Sequence, residues 1–404
     1  MKTLSKQLAL LALLTIVYSC GGPKPESDLI WVGTWASAQQ LVEPRNMPPE
    51  PGLSNNTLRQ VLRVSIAGEE LRIKFSNEFS SNPLTLKKVH LALSKGYASI
   101  DTSSSVELKF NGDSEVTMDP GTAIYSDPFS FDLKARSDLA ITIYFGQTSA
   151  DVTGHPGSRT TSFIQSGDAT SHPDLTGSVK TDHWYTIAGI DVKAPKTAAA
   201  IAILGNSITD GRGSGSNKQN RWPDILSEQL LANPNTKQLG VLNMGIGGNC
   251  VLKNCLGPSA LDRFESDVLN QQGVKWLIIL EGVNDLGQTQ DSTHAINVAR
   301  ELISAFEGMI EEAHANGILV YGATILPFGK SFYYRDFRDA ARNTFNEWMR
   351  DYHAFDAVID FDKIMRNPED TISMLPDAHD GDFLHPNEKG YRIMGEAVDL
   401  ALFE

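Results

Sequence analysis

The hydrophobic period changes once, near residue 193, and that change puts two architectures in one chain. From Trp31 to Ile190 apolar residues alternate with polar ones and turn residues recur at short intervals, the pattern of strands with one buried face. Leu62, Val64 and Ile66 share a face against Arg63 and Ser65. After Ala67-Gly68-Glu69 the pattern resumes as Leu71, Ile73 and Phe75 against Arg72 and Lys74, which predicts a hairpin. Segments 84–93, 106–110 and 139–145 read as further strands, with turns at Asn111-Gly112 and Pro120-Gly121. So many short strands predict an all-β sandwich or jelly-roll-like domain over residues 31–193. The polar run Gly154-His155-Pro156-Gly157-Ser158-Arg159 reads as a loop within it.

After Lys193-Ala194-Pro195-Lys196 short apolar runs alternate with helical stretches. Residues 198–204, 241–244, 276–281, 318–325 and 357–359 predict buried parallel strands. Residues 221–232, 260–269, 293–315 and 336–352 have the length and periodicity of crossover helices. This alternation predicts a doubly wound α/β domain over residues 194–404, with ligands bound beyond the carboxyl ends of its strands. A chain of 404 residues accommodates two such domains.

The N-terminus begins Met1-Lys2-Thr3-Leu4-Ser5-Lys6 and continues into an apolar run from Leu8 to Val17. The run is too short to span a bilayer comfortably, so residues 1–19 read as an export signal. Val17-Tyr18-Ser19-Cys20 resembles a bacterial lipoprotein box, with Tyr18 larger than usual there. The resemblance implies lipidation of Cys20, a tether over residues 20–30, and membrane attachment through that lipid alone, in the periplasm or at the cell surface. Export also permits Cys250 and Cys255 to pair as a short disulfide clip. The formal net charge of −14 argues against nucleic acid as a partner, because a backbone binder needs a cationic surface.

Candidate chemistry lies in four blocks at predicted strand ends or near the C-terminus. In Gly205-Asn206-Ser207-Ile208 a serine follows an apolar strand. Such a hydroxyl reacts only with a base in reach and with donors for the oxyanion it creates. Gly245-Ile246-Gly247-Gly248-Asn249 brings backbone N–H groups where a side chain would intrude. Glu281-Gly282-Val283-Asn284-Asp285 offers the Asn284 amide. In Asp380-Gly381-Asp382-Phe383-Leu384-His385 an Asp three residues before a His can orient the imidazole. The rival for this last block is a metal site built from His379, Asp380, Asp382 and His385.

Together these blocks make the C-terminal half resemble the SGNH or GDSL hydrolases. The resemblance implies Ser207 as nucleophile, Asp382 and His385 completing the triad, and oxyanion donors from Ser207, Gly248 and Asn284, with neither metal nor organic cofactor. Gly205-Asn206-Ser207-Ile208 departs from the Gly-Asp-Ser-Leu that names the family. Val32-Gly33-Thr34-Trp35-Ala36-Ser37 and the segment 154–162 are similar to the leading region of exported two-domain members. The expected activity is hydrolysis of carboxylic esters through an acyl-enzyme, on O-acetyl or other short acyl groups of extracellular carbohydrate. Short-chain lipid or aryl esters, transfer to another alcohol, and an inactive glycan-binding surface lipoprotein are the alternatives.

Overall fold

A computed structural model describes residues 28–351, 353 and 355–404; the expected export signal, Cys20 and most of the tether lie outside them. Leu29 and Ile30, assigned above to the tether, already pair with Pro195 and Ala194 in the strand Leu29–Ala36. The N-terminal region is built from antiparallel sheets, as its alternation predicts. In one sheet, Leu29–Ala36, Ile187–Pro195, Gly68–Ser76 and Phe129–Leu133 lie in that order. The larger sheet centres on Asn56–Arg63, Asp138–Phe145 and Leu84–Gly96. A small third sheet joins Trp184–Tyr185, Thr153–His155 and Gln40–Leu41.

The predicted hairpin does not form. Asn56–Arg63 and Gly68–Ser76 belong to different sheets, and their apolar residues Leu58, Leu62, Leu71, Ile73 and Phe75 meet in one core between the layers. The connection is captured by a third strand. Ser65 N–H and Oγ both donate to the Thr34 carbonyl, at 2.9 and 2.6 Å, and Ile66 N–H donates to Thr34 Oγ1 at 2.9 Å. Alternation marks a buried face, and two such faces can be satisfied by packing across a core as well as by pairing side by side. The segment read as a loop at 154–159 likewise begins in a strand, Thr153–His155.

The C-terminal half is a five-stranded parallel sheet in the order Leu239–Gly245, Ala199–Gly205, Val274–Leu280, Leu319–Ala323, Ala357–Ile359. Ala199–Gly205 is buried throughout, as expected for a strand covered on both faces. Helices Trp222–Ala232, Ser292–Ala315 and Asp336–Asp351 lie where the periodicity puts them. The predicted helix at 260–269 is the exception: only Glu265–Leu269 is helical, as a π-type turn closed by Asn270 N–H to the Glu265 carbonyl. This segment carries Arg263, whose buried guanidinium bonds the Gly205 and Met244 carbonyls at 3.0 and 2.6 Å. The regular helix gives way in the segment whose Arg263 is tied to the ends of two strands.

The two halves share a core. Ala198, Ala200, Leu242, Met244 and Ile246 of the parallel domain belong to the same apolar cluster as Val32, Trp35, Leu71 and Ile190. The contact is close enough to need glycine: a Cβ on Gly240 would lie 2.1 Å from the Gly33 carbonyl oxygen. Gly240→Ala should therefore force backbone apart and destabilise the protein by roughly 1–3 kcal/mol. Urea unfolding followed by tryptophan fluorescence should show one transition for both halves, with its midpoint lowered in the variant; an unchanged midpoint would contradict the shared interface.

Candidate active site

Ser207 begins a one-turn helix, Ser207–Asp210, directly after the strand Ala199–Gly205. Asn206 caps it, with Oδ1 accepting from Ile208 N–H at 3.0 Å. The Asn206 amide also reaches back to the Leu280 carbonyl and to Glu281 Oε2, both at 3.2 Å. Asn thus performs the turn chemistry needed here. As the first helical residue, Ser207 has a backbone N–H with no acceptor inside the helix.

The other blocks converge on this serine. Ser207 Oγ lies 2.8 Å from His385 Nε2, and His385 Nδ1 lies 2.6 Å from Asp382 Oδ2. Nδ1 faces a carboxylate and so carries the proton, which leaves Nε2 to accept from the serine hydroxyl. Asp382 Oδ1 takes the backbone N–H groups of Leu384 and His385, each at 2.9 Å. Partial burial raises the Asp382 pKa, but bonds from the His385 side chain and these two N–H groups outweigh it and hold the carboxyl well below its ordinary value.

Ser207, Gly247, Gly248, Asn284 and His385 line one cleft of about 320 Å3. Gly248 adopts φ +74° there. Asn284 Nδ2 donates to the Asn249 carbonyl at 2.7 Å, and Tyr333 Oη donates to Asn284 Oδ1 at 3.0 Å. The amide is thereby fixed, with one Nδ2 hydrogen left over. The glycine loop is secured from behind: Asp285 accepts from Val251 and Leu252 N–H at 3.0 and 3.1 Å, and Arg263 holds Asn249 Oδ1 at 2.9 Å. Cys250 and Cys255 are joined by a disulfide, and Gln288 Nε2 lies 3.3 Å from each sulfur.

The metal alternative finds no such convergence. Among the described residues no group of three or more His, Cys, Asp or Glu is placed to hold an ion. His379 turns its ring against Phe383, with centroids 4.2 Å apart, and Nδ1 accepts from Gly381 N–H at 3.0 Å, while Asp382 and His385 are engaged with each other.

What sequence reasoning missed lies at the far end of the serine helix. Asp210 is buried, and its partners come from the N-terminal region: His155 Nε2 is 3.0 Å from Oδ1, and an Arg159 guanidinium nitrogen is 3.6 Å from Oδ2. His155 Nδ1 faces the Ala38 carbonyl at 2.9 Å. The ring is thus held at both nitrogens, by a backbone carbonyl on one side and by the Asp210 carboxyl on the other. Burial pushes the Asp210 pKa up, but His155, Arg159 and Arg221 together hold it below the ordinary value. The only sequence signal for this contact is the cluster of two basic side chains in the run 154–159, which does not name its anion.

Glu281, behind Asn206, is also fully buried; desolvation outweighs nearby Arg263 and pushes its pKa up to about 8. Arg263 already serves Asp267 at 2.8 Å, so one cation faces two buried carboxyls.

His155→Gln removes the imidazole that meets the buried Asp210 carboxyl at 3.0 Å, and with Arg159 and Arg221 still near it this should cost about 1–3 kcal/mol of stability. Adding Asp210→Asn should recover part of that loss in urea unfolding, because a neutral amide is less costly to bury than a carboxylate that has lost one of its partners. A double variant no more stable than His155→Gln would show that the two side chains do not stabilise one another.

Residues 203–393 match the family model of the GDSL-like lipase/acylhydrolase family. Among solved structures, the chain is similar to a lipolytic protein of the G-D-S-L family from Desulfitobacterium hafniense, at 22% identity over 49% of this chain and 97% of that one, with a TM-score of 0.37. A GDSL-like lipase from Bacteroides thetaiotaomicron matches at 21% identity over 52% and 89%, with a TM-score of 0.37. An acetyl xylan esterase from Geobacillus stearothermophilus matches at 21% identity over 50% and 94%, with a TM-score of 0.39. A search of curated proteins returned no match. The C-terminal half of this chain belongs to the GDSL-like lipase/acylhydrolase, or SGNH, family, and an antiparallel β region precedes it outside the matched residues.

Proposed function

We propose that the chain hydrolyses carboxylic esters through an acyl-enzyme on Ser207, removing O-acetyl or other short acyl groups from extracellular carbohydrate. The observation that carries the chemistry is the unbroken line from Ser207 Oγ to His385 Nε2 and from His385 Nδ1 to Asp382, at 2.8 and 2.6 Å. As Oγ attacks the ester carbonyl, its proton passes to Nε2. The carbonyl oxygen gains negative charge and is met by the Ser207 and Gly248 N–H groups and the remaining Asn284 Nδ2 hydrogen. Nε2 then returns the proton to the leaving alcohol, and water attacks the acyl-enzyme by the same route. Asp382 stays ionised and stabilises the imidazolium of each step.

The character of the cleft supports a carbohydrate substrate. Its walls bring polar side chains from both halves, Gln40, Asn46 and His183 from the first and Arg212 and Asn284 from the second, together with the rings of Phe332 and Tyr333. Phe332 is 63% exposed, offering a flat apolar face of the kind a pyranose ring stacks on, whereas a long acyl chain needs a continuous apolar channel. Lipidation of Cys20 would hold this activity in the cell envelope, beside polymeric substrates.

Acetate release from p-nitrophenyl acetate and from acetylated xylan should disappear in Ser207→Ala. Asn284→Ala should cost on the order of a hundredfold or more in kcat, as loss of one oxyanion donor does. Activity of Ser207→Ala equal to wild type would refute the nucleophile. Release from the aryl ester without release from any polymer would refute the carbohydrate assignment and point to small lipid or aryl esters.

A further inference from the structure

The charges that line the cleft run against the charge of the chain. The chain carries a formal net charge of −14, yet around Ser207 three arginines, Arg45, Arg159 and Arg212, face two carboxylates, Glu43 and Asp210. Asp210 already has partners behind it in His155 and Arg159. Glu43 accepts from the amides of Gln40 and Asn46, both at 2.9 Å. Arg45 and Arg212 are exposed and make no ion pair among the described residues. Two unpaired guanidiniums thus enter the same cleft from opposite halves of the protein.

Both are held by rigid backbone. Arg212 N–H donates to the Ser207 carbonyl at 2.9 Å, and Tyr391 Oη donates to the Arg212 carbonyl at 2.6 Å. Its side chain therefore starts one turn from the nucleophile. Arg45 lies in the short helical turn Pro44–Asn46, whose Asn46 carbonyl accepts from Tyr185 Oη at 2.8 Å. A guanidinium presents a planar fork that matches a carboxylate. A bound carboxylate would give these two exposed guanidiniums the partner that neither has among the described residues.

We infer that the cleft selects esters bearing a carboxylate close to the acyl bond, and that Arg45 and Arg212 bind this carboxylate. The inference rests on the ester-hydrolase reading above and narrows its substrate class. The carboxylate can stand on the alcohol side, as in an acylated uronic-acid residue of an acidic polysaccharide, or on the acyl side, as in a hemisuccinate.

Two matched pairs separate these sources: acetylated polygalacturonate against acetylated xylan, and monomethyl succinate against methyl butyrate, each followed by acid release at constant pH. The wild type should favour the acidic member of one pair by on the order of tenfold in kcat/KM, the scale of a charge-assisted hydrogen bond. That preference should fall as sodium chloride is raised, because exposed charges are screened. In Arg45→Gln combined with Arg212→Gln the acidic-to-neutral ratio should drop towards one. A wild-type ratio at or below one in both pairs, with neutral esters still hydrolysed, would overturn the inference and leave the hydrolase reading standing, as would a ratio unchanged in the double variant. No hydrolysis of any ester by the wild type would overturn both.

Discussion

Asp210 is a buried carboxylate at the end of the turn that carries Ser207, and a buried charge persists only with a partner. Its partners, His155 and Arg159, come from the antiparallel region. These cross-domain contacts join the serine turn to the antiparallel region at the site itself, where the shared core does not reach. The segment that supplies His155 also brings Pro156, Gly157 and Arg159 to the cleft wall. A Cβ on Gly157 would fall 2.0 Å from Asp210 Oδ2, so the glycine there is what allows the segment to lie so close. The β-rich region is consequently part of the active-site architecture as well as a neighbour in sequence.

The strand-end logic of the parallel domain was legible because it follows from local signals. Runs such as Ala198 to Leu204 are apolar without interruption, and the residues after them, Asn206, Gly247, Gly248 and Asn284, are those that tolerate tight turns. Once the strands are parallel neighbours, their carboxyl ends must lie together, and the late His385 block supplies the base. Three features were not legible, each for the same reason. The hairpin at 62–75 failed because alternation does not distinguish pairing from facing. The helix at 260–269 failed because Arg263 has its acceptors at Gly205 and Met244, far away in sequence. The run 154–159 passed for a loop because the carboxylate that explains His155 and Arg159 is Asp210, which lies in the other domain. In every case the deciding partner was distant in the chain: an apolar face for the hairpin, polar groups for the other two.

The site also shows how buried charge is distributed around a reactive serine. Asp382 and Asp210 stay ionised against burial because each has an imidazole and further donors. Glu281, whose nearby cation is shared with Asp267, is pushed the other way. The nucleophile turn therefore sits between a carboxylate that orients its base, one that anchors its helix, and a carboxyl behind its capping asparagine. Only the first of these touches the proton path, and the others fix where Ser207 stands.

The central claim is that Ser207 is a nucleophile made reactive by His385. The most direct test is labelling of the intact protein with a fluorophosphonate, with the modified residue located by peptide mass spectrometry in the wild type and in His385→Ala. A single adduct on Ser207 is expected in the wild type, with labelling slowed by orders of magnitude when the imidazole is removed. An adduct on another residue, or labelling of Ser207 at the same rate in both proteins, would contradict it.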